Sequence, residues 1–550
     1  MKTARLQGAA LALLTLAPVP ALACGGLFCN NTQPVVQQAE NILFVVDAEQ
    51  THMHVRISYA GPPQEFGWLL PVPRGVETTL SSDMVFTALG QYAARFELSY
   101  EQTVQCDEQF YPGPEAAAGG NGADAGAVDD RGVEVLSREP VGPYDRAILD
   151  ARSVEDLRNW LNENGYQIPD AVDDTLRPYV DNGAVFVAIK LLPGEDTGDL
   201  VPLHLSFPGN APTIPLRPTA VATQPDMGVV VHVLGEHRAI PLNYRHVQIN
   251  EAAVDWVNGG ANYFAVVAQA SDEAGGRAFT TDFAGGHSIS VQDLPSVDES
   301  IITAIAETNT LEAFGTAACG LNFGDPDVSR ILRNVLLPPG EGGEPTFLDC
   351  LGGVGNAPGS AIDGAAVAAR LRTEVNEPRV AVAAQFAEHP YLTRLFTTMS
   401  AEEMSEDPTF ANNADAVPVD NVHQATAQIY QCTPEGYYDY GNLRIITQSG
   451  LVLEVQNGEM ADAIQREGGM TIRQGDEPAA QRIEQYLTAG APEATTDNSE
   501  DIAARNAGGD DGGDDGCGCS TTTGHPASGA AGLLLAALGL GLVRRNRRRG

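Results

Sequence analysis

Three stretches of this 550-residue chain hold residue types and spacings that could do chemistry. Gly286-His287-Ser288-Ile289-Ser290 approaches the Gly-x-Ser-x-Gly elbow, in which a strand-to-helix turn exposes a serine nucleophile for acyl transfer. Position 290 is serine where the tight turn needs glycine, and no helical pattern follows, so a serine hydrolase is not expected. His52 and His54 fall on one face of an alternating strand and could share a metal ion, with His232 or His237 as a third ligand. No His-Glu-x-x-His occurs, and a solvated strand face is the expectation for the pair. Gly119 to Ala127 matches most of one Ca²⁺-binding nonapeptide. Gly126 stands where a large apolar residue belongs, and such repeats need stacked copies, so an insertion loop is expected. Lys190 has no glycine-rich loop before it, which removes a P-loop. With 72 acids, close carboxylate pairs arise by chance and identify no glycosidase. No catalytic, cofactor-binding or metal-binding residue is assigned.

The cysteines carry more information. They stand at 24, 29, 106, 319, 350, 432, 517 and 519. Setting aside the last two leaves six, an even number suited to disulfides in an oxidising compartment. Cys24 and Cys29 bracket a short glycine-containing loop, and Cys319 and Cys350 flank a Gly/Pro-rich stretch. That pairing leaves Cys106 with Cys432 as a long-range staple, although six cysteines allow 15 pairings. A Cys-based metal site is not expected, because no Cys-x-x-Cys is present.

Both ends read as addressing segments. Residues 1–23 have Lys2 and Arg5, an apolar run from Gly8 to Ala17, and Ala21-Leu22-Ala23, which places signal cleavage between Ala23 and Cys24. A lipoprotein signal would also end at Cys24, but Ala21 stands where leucine is usual. At the other end, residues 491–516 form a linker closing on the acidic Asp510 to Asp515 stretch, read as a solvated spacer rather than a Ca²⁺ site. Residues 517–550 follow: Cys517 and Cys519, a polar spacer, the apolar run 527–543 at the short limit of a membrane span, and five arginines.

The whole chain has 32 bases and 72 acids, a net charge of −40. Removing Lys2, Arg5 and the five tail arginines leaves 25 bases against the same 72 acids, and Lys190 is then the one lysine. Such a surface repels nucleic acid and anionic lipid.

Between the ends the pattern is mixed. Ile42 to Asp47 and Thr51 to Tyr59 read as a hairpin, and Phe66 to Pro73 as an edge strand. Ser153 with Asp156 caps a helix that stops at Gly165, and a second short helix ends near Val180. Strands are expected at Val185–Leu192, Leu203–Phe207, Val229–Leu234 and Tyr263–Ala270, and helices at Glu299–Ala317, Ile362–Leu371 and Tyr391–Met399, with a further N-cap at Ser400. Leu443–Thr447 and Leu451–Val455 read as a late hairpin, and the apolar pattern fades beyond about residue 488. The expected class is α+β, mainly antiparallel sheets with packed helices, in an N-terminal part at 24–290 and a C-terminal part at 291–490.

Two resemblances add to this. Cys24 to Cys29, Trp68 to Pro73, Asn164 to Pro169, Phe186 to Leu191, Asp272 to Phe279 and Leu392 to Ser400 resemble the bacterial domain-of-unknown-function family 2330, spanning most of residues 24–490. That resemblance implies export and a surface setting, and no activity. The last 35 or so residues resemble the MYXO-CTERM sorting signal of myxobacteria: a motif cysteine, an apolar stretch and an arginine cluster in that order. It implies a sorting intramembrane protease as partner, a lipid-modified cysteine and an outer-surface destination. Cys517 and Cys519 both fit the motif. The expected function is therefore an exported, surface-anchored module that binds or supports, without a cofactor, without nucleic acid, and with an unidentified extracellular ligand. A secreted hydrolase and an envelope-assembly scaffold are the alternatives.

Overall fold

The computed structural model describes residues 36–507 apart from short stretches, chiefly 61–65, 107–133, 167–171, 337–345, 349–351, 355–358 and 474–476. The chain divides into two units, residues 1–508 and 509–550, and the second lies wholly outside the described residues. So do the leader with Ala23 and Cys24, Cys29, the Gly119 to Ala127 stretch, Cys350, Cys517, Cys519 and the 527–543 run. Among the described residues no helix is long and apolar enough to cross a membrane.

The first hairpin follows from period-two alternation. Val36–Val46 and Gln50–Ala60 pair antiparallel, closed by the Asp47 amide donating to the Gln50 carbonyl at 2.9 Å. They sit inside a ten-stranded sheet with the order Glu493–Asp497, Ala480–Gln485, Arg245–Ile249, Ala278–Gly286, Tyr391–Met399, Thr223–Gly235, Val36–Val46, Gln50–Ala60, Leu203–Pro208, Glu77–Leu80. Two neighbouring pairs are parallel, Val36–Val46 with Thr223–Gly235 and Arg245–Ile249 with Ala278–Gly286. The other pairings in this sheet are antiparallel, in keeping with the α+β expectation.

One face of this sheet packs on a four-stranded sheet of Gly67–Val72, Val185–Leu191, Tyr144–Asp150 and Glu134–Val141. Ile42, Phe44, Val231 and Leu395 meet Trp68, Leu70, Val187 and Ile189 there. The far side of the smaller sheet is sealed by helices Val154–Glu163 and Val172–Asp181, through Leu157, Trp160 and Leu176 against Phe186 and Ala188. Val185–Leu191 is therefore covered on both faces, which explains its unbroken apolar run. The first of these helices starts as its capping pattern requires: the Ser153 hydroxyl accepts from the Asp156 amide at 3.0 Å, and Gly165 takes φ +75° beyond its end.

The other face of the long sheet carries helices Asp83–Leu89 and Glu377–Glu388, with Val85, Phe86, Val382 and Phe386 on Leu43, Val45 and Leu234. A five-stranded sheet, Glu459–Met460, Val452–Gln456, Leu443–Thr447, Val422–Ile429 and Arg95–Gln102, buries Ala427, Ile445 and Val455 with Val247, Ile483 and helix Tyr263–Glu273. The late hairpin is part of it. Helices Glu299–Ala306, Leu311–Ala318, Pro326–Arg333 and Gly364–Arg370 form a separate apolar cluster.

Several local expectations are corrected. Tyr263–Ala270 is not a strand but the body of helix Tyr263–Glu273. Its run already holds Gln269 and continues into Ser271, Asp272 and Glu273, and the paired positive-φ glycines Gly275 and Gly276 stop it. Tyr391–Met399 is a strand, held between two neighbours inside the long sheet, where β-branched threonines pack well. Ser400 opens a turn rather than a helix, although its amide donates to the Glu403 carboxylate at 2.7 Å. The long helix at 299–317 is two helices, because Thr310 caps a second start. Residues beyond 488 still form an edge strand, Glu493–Asp497, and a helix, Ser499–Ala507, whose Ile502 is buried.

Candidate functional site

The edges of three elements surround a cleft of about 510 Å³ between the long sheet and the five-stranded sheet. Strands Arg245–Ile249 and Ala278–Gly286 run parallel and supply His246 and Thr281. The Leu443–Thr447/Val452–Gln456 hairpin brings Ser449 at its tip, and the start of Val422–Ile429 brings His423. Tyr263, the first residue of its helix, closes the floor.

Arg238 is the unusual group. It is only 5% exposed, and its three hydrogen bonds all go to uncharged acceptors. Nη1 donates to the Val417 carbonyl at 2.9 Å, and Nη2 donates to Thr281 Oγ1 and to His246 Nε2, both at 3.1 Å. The buried Nε has no partner. Burial draws this guanidinium below its ordinary pKa, against the opposing pull of Tyr486, Tyr391 and Glu484. A buried cation without a carboxylate in direct contact is costly, and its place in a cleft makes it a candidate ligand contact.

His246 sits beside it at 3% exposure. Its pKa is lowered, first by burial, although Glu484 works against the shift. Nδ1 faces Glu484 Oε2 at 3.4 Å, and Thr281 Oγ1 lies 3.0 Å from Nε2. Thr281, His246 and Glu484 thus fall in the order nucleophile, base, orienting acid. Arg238, however, already donates to the same Nε2 lone pair that a base would need. Deeper in, the Tyr263 hydroxyl donates to Asp282, which is ion-paired with Arg394. At the mouth, Glu251 accepts from the Ser449 hydroxyl at 2.9 Å and lies 3.0 Å from His423 Nδ1, while Phe96 stacks on the His423 ring at 4.7 Å. The cleft therefore offers one buried positive charge, hydroxyl groups and a polar mouth where the Glu251 carboxylate is held by Ser449 and His423.

The structure disperses the residues singled out from sequence. Ser288 Oγ lies 3.4 Å from the Tyr92 hydroxyl. His287 spends Nε2 on the His389 carbonyl at 2.8 Å and Nδ1 on the Ile289 amide at 3.2 Å, so it does not serve Ser288 as a base. Lys190 reaches the Asn164 carbonyl at a helix end and lies over the Tyr166 ring at 4.7 Å. Cys106 is joined to Cys432, and Cys319 is disulfide-bonded to a partner outside the described residues.

The histidines are not on a solvated face. His54 is 2% exposed, with Nδ1 2.8 Å from the Ser81 hydroxyl and Nε2 2.9 Å from Gln385 Oε1. Its neighbour is neither His232 nor His237. His232 is in register on the far side of Leu43, and His237 is exposed in a turn. The third imidazole is His204, directly opposite on Leu203–Pro208: its ring stacks on His54 at 4.3 Å, and its Nε2 lies 3.0 Å from His52 Nδ1. Leu203-His204-Leu205-Ser206-Phe207 alternates as strongly as the His52 strand, so the signal for His204 was present. Among the described residues no group of three His, Cys, Asp or Glu has a metal-holding arrangement.

This ladder makes stability depend on pH. Burial, then His204 and His52, hold His54 well below its usual pKa, with Gln385 opposing; burial and His52 push His204 down to about 4. An unfolded histidine titrates near 6.5, so between about pH 6.5 and 4 the unfolded chain binds more protons. The ladder's contribution is full above that window and is lost as pH falls through it. His204 alone accounts for on the order of 3 kcal/mol. Burial raises Asp83 to about 6 and Glu403 to about 7, which slopes stability the other way. The readout is therefore a difference: subtracting the stability curve of His204→Gln from that of the wild type should leave a rise between pH 4 and 6.5. A flat difference would show that His204 is not held neutral.

Arg238 was invisible in sequence. It sits in Arg238-Ala239-Ile240-Pro241, a short strand whose four residues are all buried, and nothing in its spacing marks a cation turned inward. A family model described as an uncharacterized protein conserved in bacteria, the domain-of-unknown-function family 2330, matches residues 18–313. No curated protein and no solved structure matches the chain.

Proposed function

The chain belongs to the domain-of-unknown-function family 2330, whose matched stretch carries Arg238, His246, Tyr263 and Thr281, and on that premise we propose that it is an exported protein, held at the outer cell surface, that binds a small ligand in the Arg238 cleft. One observation carries the binding reading: a buried guanidinium whose hydrogen bonds all go to uncharged acceptors faces a cleft of about 510 Å³. That volume is in the range of small-molecule sites. Binding is favoured over turnover because Arg238 occupies the His246 lone pair and lowers the basicity of the imidazole further.

Export is supported by the leader-like residues 1–23 and by the Cys106–Cys432 bond across 326 positions, which suits an oxidising compartment. Anchoring through Cys517 or Cys519, after removal of the arginine-ended tail, is the reading that the sorting-signal resemblance supports. The lipid would hold the protein to a membrane, and a sorting intramembrane protease would be its processing partner.

A secreted hydrolase is the second reading, favoured by the Thr281–His246–Glu484 row. Hydrogen exchange separates the two. Incubated with a concentrate of its own culture medium, the mature protein should show slowed exchange in peptides spanning 245–251, 417–423 and 446–451, and Ser449→Trp should lose that protection. Mass-spectrometric detection of a converted component, abolished in Thr281→Ala, would replace the binding reading with the hydrolase.

A further inference from the structure

Resting on the binding reading of the Arg238 cleft, we infer that its ligand is a hydroxylated carboxylate, specifically a uronic-acid sugar, with the carboxylate placed against Arg238. Three features of the cleft lead there. The first is charge. Arg238 is buried and spends its hydrogen bonds on a backbone carbonyl, a threonine hydroxyl and an imidazole, so its positive charge meets no carboxylate directly. Its Nε–H has no acceptor. A carboxylate is the group that best matches an undersatisfied guanidinium. The surrounding protein makes this more telling. With 72 acids against 32 bases, its general field repels anions, so an anion is held only where a local cation outweighs that field.

The second feature is the rest of the lining. Gln248, Gln448 and Gln481 carry amides, Thr280 and Ser449 carry hydroxyls, and the one lining carboxylate, Glu251, stands at the mouth with its oxygens against Ser449 and His423. Amide and hydroxyl groups both donate and accept, which suits the hydroxyls of a sugar ring better than a flat apolar ligand. The third is size. A cleft of about 510 Å³ admits one or two sugar rings and is open at the hairpin tip, so the end of a longer chain can enter.

The test is titration calorimetry at low salt on the protein as isolated, using matched sugars that differ in one group: glucuronate against glucose, and galacturonate against galactose. At least one uronate is expected to bind tenfold or more tightly than its neutral counterpart. Arg238→Gln should erase that preference, and Ser449→Trp, at an exposed hairpin tip, should weaken binding by blocking the mouth. Neutral sugars binding as tightly as uronates would overturn the carboxylate assignment and leave the cleft as a binding site. Uronate affinity that survives both substitutions would overturn the location. Failure of both uronates to bind would overturn the ligand class, while the hydrogen-exchange protection at 245–251 and 417–423 reports separately on whether the cleft binds anything. Should Arg238→Gln not fold, the wild-type preference and the Ser449→Trp block still decide the matter.

Discussion

Arg379→Ala is expected to cost about 3–5 kcal/mol, lost first from the helical cluster at residues 299–376. Arg379 is fully buried at the start of helix Glu377–Glu388. Its guanidinium donates to both oxygens of Asp325 at 2.6 and 2.7 Å, to Asp327 at 2.6 Å, to the Ser82 hydroxyl at 3.2 Å and to the Pro295 carbonyl at 2.7 Å. Ser82 in turn donates to Asp327 at 2.5 Å and caps helix Asp83–Leu89. One side chain therefore ties two helix starts, those at Ser82 and Asp325, to the continuous helical run 364–388. Removing it leaves two buried carboxylates facing each other without a cation, which is the costly way to break a buried ion pair. Hydrogen exchange of peptides from 299–333 should accelerate about a hundredfold or more, while peptides of the Val185–Leu191 strand change little. Combining Arg379→Met with Asp325→Asn and Asp327→Asn should recover part of the loss, because no buried charge is then left without its partner. A single variant with exchange like the wild type would show that the network does not hold these helices.

Loss of the Cys106–Cys432 bond ranks next, at about 2–5 kcal/mol. The two cysteines follow strands Arg95–Gln102 and Val422–Ile429, which pair parallel although 326 positions separate the bridged residues. Parallel pairing of distant segments carries a large loop-closure cost, and a covalent link removes much of it from the unfolded state. The Cys106→Ser/Cys432→Ser protein should unfold at lower urea, with the five-stranded sheet opening first. Because that sheet forms one wall of the cleft, ligand-induced protection at 417–423 should weaken with it. Equal urea midpoints with and without the bond would refute the stapling role.

Elements with a two-residue period and a clear turn were legible: the Val36–Val46/Gln50–Ala60 hairpin, the Ser153-capped helix and the late hairpin. Tyr391–Met399 and Tyr263–Glu273 depart from expectation in opposite directions because each is a short segment of mixed apolar and polar residues. For such runs length and periodicity do not separate helix from strand, and the neighbours decide. Tyr391–Met399 is flanked by two strands that need a partner, whereas Tyr263–Glu273 lies across the long sheet and under the five-stranded one. The candidate site was hidden for a related reason. Arg238, His246, Thr281 and Glu484 span nearly half the chain and are brought together by sheet order, which no local pattern encodes. His52 and His54 were visible as a pair, but their third partner came from the adjacent strand instead of from His232.

Function outside the cytoplasm is the premise of the proposed surface role. Mass spectrometry of the protein recovered from surface and cytosolic fractions tests this most directly. The surface form should begin at Cys24, lack Arg544 to Gly550, and carry Cys106 and Cys432 as one oxidised pair. Recovery of the unprocessed chain, Met1 through Gly550, from the cytosol with both thiols reduced would contradict it.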